Sequence, residues 1–248
     1  MPKLMKKLGM IIVVAFLLDM TSYVTHPFPS VAQGQEEYDP PSCKGNPAAG
    51  PVKCNYSNGD NYVGGFANGL PNGRGIYVYA AGDRYEGLFR NGRPNGQGIF
   101  IFASDDRVEG EFRNGNIVNG RSIFKNGDRY EGPFELVQEV DTKNISSQPA
   151  GRGRFIFANG DRYEGEFFAG SIFGAGVFIR TNGTRCEGQF YNNKLDGKGS
   201  CSYPNRSRYE GELRGGVPHG RGIFVQSNGQ RYQGVFRDGQ PVDPKKPQ

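Results

Sequence analysis

The chain has 248 residues, of which 39 are glycine, none is tryptophan and 35% are hydrophobic. That balance excludes a large apolar core of the ordinary globular kind, and a formal charge of +5 is too mild to argue for a nucleic-acid or other polyanionic partner. With His26 and His219 the only histidines, the sequence offers neither a Ser-His or Cys-His nucleophile nor zinc-ligand spacing, so neither an enzyme nor a cofactor is expected.

In chain order, Lys3, Lys6 and Lys7 precede an apolar run from Leu8 to Leu18, and polar and turn residues then lead to Ser30-Val31-Ala32. This is the order of a secretory signal peptide, which predicts cleavage after Ala32 and an exported mature chain, periplasmic or extracellular. A helix needs about 20 apolar residues to span a bilayer, more than this run supplies; an uncleaved N-terminal membrane anchor is the alternative. Loss of residues 1–32 removes three lysines and Asp19 and lowers the charge from +5 to +3. Residues 33–53 are expected to be a flexible segment that includes a half-repeat cap, and residues 241–248 a disordered tail.

The array between them, residues 54–240, is organised by one phrase. Aromatic-Glu-Gly-x-Phe, or a near copy, begins at Tyr62, Tyr85, Val108, Tyr130, Tyr163, Cys186, Tyr209 and Tyr232, mostly 23 residues apart. A fixed period of this size signals a stacked repeat array. Within a unit, alternation along two short runs separated by glycine-rich turns predicts a β-hairpin, so the fold class expected is all-β: an elongated, twisted single-layer antiparallel sheet of tandem hairpins, about 15 strands across. The first aromatic is position 1; Gly at position 3 and Phe at position 5 share its face. Position 16 is read as a second aromatic, at Tyr77, Phe100, Phe124, Phe155, Phe178 and Phe224. The glycine at position 3 is expected to leave room for a ring from the adjacent strand.

Two turns are predicted per unit. Asn58-Gly59, Asn126-Gly127, Asn159-Gly160, Asn182-Gly183 and Asn228-Gly229 read as two-residue type I′ links between hairpins. The turn within each hairpin is placed at the Pro-Asn-Gly or Pro-His-Gly that follows Leu70, Arg93 and Val217. Arginines before position 1 (Arg84, Arg107, Arg129, Arg162, Arg185, Arg208, Arg231) and glutamates after it (Glu86, Glu109, Glu131, Glu164, Glu187, Glu210) fall on the face opposite the aromatics, where they read as a solvated, ion-paired ladder.

Two places break the phrase. Cys186 and Cys201 replace the aromatics at positions 1 and 16 of one unit, on opposite strands and the same face. Cys54 takes position 16 of the half-unit before Tyr62, and Cys43 lies where its partner strand could run. Of three connectivities, Cys43 with Cys54 and Cys186 with Cys201 is the favoured one; four small buried thiols are the alternative. The fourth unit carries an insertion over residues 135–150, read as a long loop from Glu135 to Pro149: either drift tolerated at a hairpin tip, where added length costs little, or a candidate binding element.

Tyr163-Glu-Gly-Glu-Phe167, followed by Gly170 and Gly174-Ala-Gly176, resembles the MORN (membrane occupation and recognition nexus) repeat, and the resemblance extends over about residues 54–243. It implies a single-layer sheet of hairpins and roles in membrane-lipid association, dimerisation and scaffolding, with no chemistry of its own. The expected function is therefore an exported, noncatalytic binding or scaffold module that contacts a protein partner or a second copy of itself. Anionic phospholipid at a membrane surface, and envelope glycan binding or hydrolysis, are the alternatives; nucleic acid is not expected. The candidate binding residues are the aromatic rows, Tyr62, Phe66, Tyr85, Phe89, Tyr130, Phe134, Tyr163, Phe167, Tyr209 and Tyr232. A lone last strand near Phe236 would leave an edge open to pairing.

Overall fold

The computed structural model describes residues 40–138 and 145–242. The signal-like segment and the tail beyond Val242 lie outside the described residues. Among the described residues there are 19 strands, all in antiparallel sheet, and no helix. They divide into two compact units, one reaching to Ala158 with Phe168–Gly170, the other comprising Asn159–Phe167 and the residues from Ser171.

The first unit holds β1 (Ser42–Lys44), β2 (Val52–Asn55), β3 (Asn61–Ala67), β4 (Leu70–Val78), β5 (Arg84–Arg90), β6 (Arg93–Ile101), β7 (Arg107–Arg113), β8 (Asn116–Ile123), β9 (Arg129–Gln138), β10 (Ile145–Pro149) and β11 (Gly151–Ile156). Ladders join them in chain order from β1 to β9, and β9 then pairs with both β10 and β11. The second unit holds most of β12 (Arg162–Phe168), then β13 (Ser171–Ile179), β14 (Arg185–Tyr191), β15 (Lys194–Ser202), β16 (Arg208–Arg214), β17 (Val217–Val225), β18 (Arg231–Arg237) and β19 (Gln240–Pro241), laddered in chain order from β13. The count exceeds the 15 inferred from the repeat for three reasons. The segment before the array forms β1 and β2, the insertion adds a strand, and a two-residue β19 follows the last full strand.

The repeated phrase is explained by one ring and one irregularity in the ladder. The register shifts between Gly64 and Phe66, between Gly87 and Phe89, and between Gly211 and Leu213. The extra residue of such a bulge drops out of the strand pairing, which leaves its carbonyl in need of another donor. The tyrosine three residues earlier supplies it: Tyr62 Oη donates to Gly65 O at 2.6 Å, Tyr85 Oη to Leu88 O at 3.1 Å and Tyr209 Oη to Glu212 O at 2.7 Å. Tyr130 and Tyr163 make the same bond to Pro133 O and Glu166 O. To reach it, the ring lies across two facing glycines of its own hairpin; a Cβ on Gly176 would stand 2.3 Å from Tyr163 Oη. The sequence led to the expectation of a ring from the adjacent strand over position 3; the ring there is instead the unit's own tyrosine. Only the backbone of the x residue is used, which accounts for the free choice of its side chain.

Both turns differ from the expectation. The two-residue type I′ turn lies inside the hairpin and ends two residues before the proline. Asn68 and Gly69 have φ of 51° and 77°, and Asn91 and Gly92 have 50° and 78°. Pro71 and Pro94 belong to strands β4 and β6, opposite Phe66 and Phe89. Their carbonyls accept the N–H of Gly92 and Gly115 from the next tip, at 2.9 Å in each case. The link between hairpins is wider: Tyr79 N–H donates to Asp83 O and Gly82 N–H to Tyr79 O, a type I turn closed by a glycine at φ 96°. In the Asn-Gly links the asparagine does not need positive φ, because its side-chain oxygen accepts the N–H two residues on, as Asn58 does from Asp60 and Asn126 from Asp128.

These links carry a feature with no sequence-level expectation. The aspartate that ends each link reaches the next one and accepts a backbone N–H there: Asp60 from Ala80 at 2.8 Å, Asp83 from Ala103 at 2.9 Å, Asp106 from Lys125 at 2.8 Å, Asp128 from Ala158 at 2.6 Å and Asp161 from Thr181 at 2.9 Å. The next acceptor slot is Thr184, and the residue where the donor would be, Pro204, has no N–H to give.

Burial pushes the Tyr62, Tyr203 and Tyr209 phenols up to about 12, and Tyr85 and Tyr130 well above the usual tyrosine value. The folded state thus holds these protons more tightly than the unfolded chain, whose tyrosines ionise near about pH 10. Their contribution to stability is complete below that pH and is lost as pH rises towards 12. Urea midpoints should be unaffected by these groups up to about pH 9 and fall steeply between about pH 10 and 12, in step with tyrosinate absorbance.

Candidate binding surfaces

The cysteines pair as favoured from sequence. Cys43 is bonded to Cys54 and Cys186 to Cys201, each joining directly opposed residues, of β1 with β2 and of β14 with β15. The first bond fixes a hairpin within the stretch read as flexible. The second stands where a tyrosine and a phenylalanine would be, and two leucines fill the space of the missing ring. Leu195 Cδ1 and Leu213 Cδ1 each lie 2.8 Å from where a Cβ of Gly188 and Gly199 would stand.

Most of the aromatic binding candidates have no face to offer a partner. Tyr62, Tyr85, Tyr130, Tyr163 and Tyr209 are at most 1% exposed, and Phe89, Phe134 and Phe167 are also buried; Phe66 and Tyr232 are half-buried. The reason is the ring position just described. Each tyrosine rests on its own backbone and meets phenylalanines edge to face, Tyr85 with Phe89 and Phe112 both at 5.0 Å, and Tyr163 with Phe190 at 4.9 Å. These rows are the core.

The insertion is not a loop throughout. β9 continues to Gln138 and β10 returns against it from Ile145, pairing Leu136 with Ser147 and Phe134 with Pro149. The hairpin is lengthened at its tip, with Leu136 and Ile145 exposed, while Ser146, Ser147 and Gln148 are buried; Gln148 Nε2 donates to Ser146 Oγ. Residues 139–144 lie outside the described residues.

On the opposite face the expected ion pairs form at Arg84–Glu86 (2.8 Å), Arg107–Glu109 (3.3 Å), Arg162–Glu164 (3.8 Å) and Arg185–Glu187 (2.6 Å). Two shallow grooves run along it. One, of about 780 Å³, includes Arg74, Gln97, Arg121 and Arg152; the other, of about 1120 Å³, includes Lys198, Glu212, Arg221 and Gln233. Both are floored by the glycines of positions 3 and 14, which present bare backbone.

A second aromatic row was missed. Two residues after position 16, the side chain returns to the aromatic face at Tyr56, Tyr79, Phe102, Phe124 and Phe157, beside the links. Ser122, opposite Val108 and Tyr130, holds position 16 of the third unit, so Phe124 belongs to this outer row and not to the inner one. Inner and outer rings alternate in contact: Tyr56–Tyr77 at 5.5 Å, Tyr77–Tyr79 at 4.7 Å, Tyr79–Phe100 at 5.8 Å and Phe100–Phe102 at 4.7 Å. Tyr56, Tyr79, Phe124 and Phe157 are half-buried. The signal was present as alternation running one step past the strand, into residues read as turn.

Six segments match the MORN repeat family, residues 62–84, 85–107, 147–162, 163–185, 186–208 and 209–231. They cover more than half of the chain, which therefore belongs to the MORN-repeat family. The stretch 108–146 without a match contains Val108 and Ser122 in the two aromatic slots and the lengthened hairpin. No curated protein sequence matches the chain. Similar solved structures include a mutant of the TCP10 domain of Danio rerio CPAP, at 16% identity and a TM-score of 0.40 over 79% of this chain and 95% of that one. Another is the TCP domain of SAS-4 from Drosophila melanogaster in complex with a proline-rich motif of Ana2, at 15% identity and a TM-score of 0.40 over 84% and 98%. Neither bears on what this chain binds.

Proposed function

We propose that the chain is an exported, noncatalytic scaffold that binds protein and associates with a second copy of itself through the C-terminal edge of its sheet. The observation that carries the self-association is the end of the array. Among the described residues, β19 spans two residues and pairs with Phe236 and Arg237 only, with one further bond from Val242 N–H to Val235 O. A strand edge covered this briefly is a template for another chain. Two disulfides in one repeat array support an oxidising compartment, and with it export. Anionic lipid is the weaker reading, because arginines of the ladder are matched by glutamates beside them. Light scattering across micromolar concentrations tests the proposal. A concentration-dependent dimer that is lost on Val235→Pro supports it, since proline removes an edge donor; a monomer throughout refutes it.

A further inference from the structure

The two disulfides sit in unlike surroundings. Cys186 and Cys201 are both buried, at 2% exposure each, on strands β14 and β15 that pair along their length and are paired in turn with β13 and β16. Cys54 is buried as well. Cys43, however, is exposed, and so are Ser42, Lys44 and the whole turn 45–51 that follows them.

Apart from its cysteine, β1 therefore brings nothing to the core. Among the described residues its strand pairing is with β2 alone, over Ser42–Lys44, and the register sets Lys44 directly opposite Lys53, both exposed. Like charges in opposed positions weaken a strand pair. Ordering β1 and its turn costs conformational entropy at every residue, which a few exposed hydrogen bonds do not return. What holds β1 on the sheet is the bond from Cys43 to Cys54.

We propose that Cys43–Cys54 is a redox latch: a dithiol reductant opens it by exchange, and β1 then leaves the sheet while the rest of the array stays folded. The reductant's thiolate attacks Cys43 Sγ, the sulfur of the exposed residue, and the S–S bond breaks with its electron pair passing to Cys54 Sγ, which takes up a proton. The second thiol then closes the reductant's own disulfide and releases Cys43 as a thiol. An exposed disulfide is the kind that exchanges, whereas the buried Cys186–Cys201 bond offers an attacking thiolate no path. β2 does not depend on the latch, since it keeps its ladder with β3 from Val52 opposite Gly64 to Asn55 opposite Asn61. Opening changes one row of backbone groups. The Cα atoms of Cys43 and Cys54 are 4.1 Å apart, the close spacing of a pair without mutual hydrogen bonds, so the bonds to β1 are made by the neighbours Lys53 and Asn55. Once β1 leaves, their N–H groups have lost their partners and β2 is an uncovered strand.

The test is graded reduction of the folded full chain with dithiothreitol, trapped by alkylation and read by peptide mass mapping, with amide hydrogen exchange measured on the same samples. Cys43 and Cys54 should be alkylated at least about tenfold faster than Cys186 and Cys201. The amides of Lys53 and Asn55 should then lose protection while those of β14 and β15 keep theirs. Cys43→Ser, which leaves the buried Cys54 in place, should give the same open exchange without any reductant. Lys44→Glu should hold β1 on β2 for longer after reduction, because the opposed charges then attract. Equal reduction rates of the two bonds overturn the proposal, and so does retained protection of Lys53 and Asn55 once Cys43–Cys54 is open. A loss of protection throughout the array also sinks it, since the bond would then be a staple of the whole fold.

Discussion

Tyr163→Ala is expected to lower the free energy of unfolding by about 3–5 kcal/mol, the range for removing a large buried ring. The ring is fully buried and meets Phe167 and Phe190 at 5.3 Å and 4.9 Å, and it covers Gly165 and Gly176, where no side chain can replace it. Its removal therefore leaves a cavity floored by backbone. Tyr163→Phe separates the packing from the polar part: it gives up the bond to Glu166 O and should cost about 1 kcal/mol. Gly176→Ala tests the same contact from below, because the new Cβ would force the ring off its seat. Urea denaturation of the three variants decides; a loss below about 1 kcal/mol for Tyr163→Ala would mean that the ring is not a core element.

Removing the Cys186–Cys201 bond is expected to cost about 3 kcal/mol, the chain-entropy value for closing a loop of this length, 15 residues. Cys186→Ser with Cys201→Ser isolates this bond from Cys43–Cys54, and its urea midpoint is compared with that of the unreduced chain. Restoring the repeat aromatics by Cys186→Tyr with Cys201→Phe should not rescue the loss. Leu195 and Leu213 already occupy the space over Gly188 and Gly199 that the tyrosine would need. Rescue is expected only when Leu195→Pro and Leu213→Phe are added, which returns all four positions to the common pattern. A full rescue by the two aromatics alone would show that the leucines do not fill that space.

The period and the alternation made the hairpin array and the cysteine pairing legible, because both follow from which face a side chain takes. The turns were misplaced for a physical reason. Asn-Gly is a strong signal for type I′ geometry when only main-chain angles are weighed, but Asn58 and Asn126 use their side chains to cap a wider link. The residues that do take both left-handed angles include Asn68-Gly69, Asn91-Gly92 and Asn114-Gly115 as well as Ala169-Gly170 and Asn192-Asn193, so the Asn-Gly dipeptide occurs at both kinds of turn and does not by itself distinguish a tip from a link. The inner aromatics looked like a binding surface because sequence shows the face a ring occupies and not whether it lies flat on its own backbone. The bulge decides that, and a bulge leaves no residue signature beyond one free position. Phe124 was assigned to the wrong row because the third unit is a residue short.

Thr184 and Pro204 stand 20 residues apart, in different repeats, yet together they mark the loss of a single bond: one lacks the carboxylate and the other the amide hydrogen. Compatibility in this molecule is thus a property of the seam between neighbours. A graft that transplants one repeat whole, from Tyr163 to Arg185 for example, would carry an intact hairpin but bring Thr184 against a new neighbour and leave Asp161 facing an unmatched link. Exchange of modules along this array should be planned in overlapping half-repeats, cut through the middle of each strand pair, so that donor and acceptor travel together.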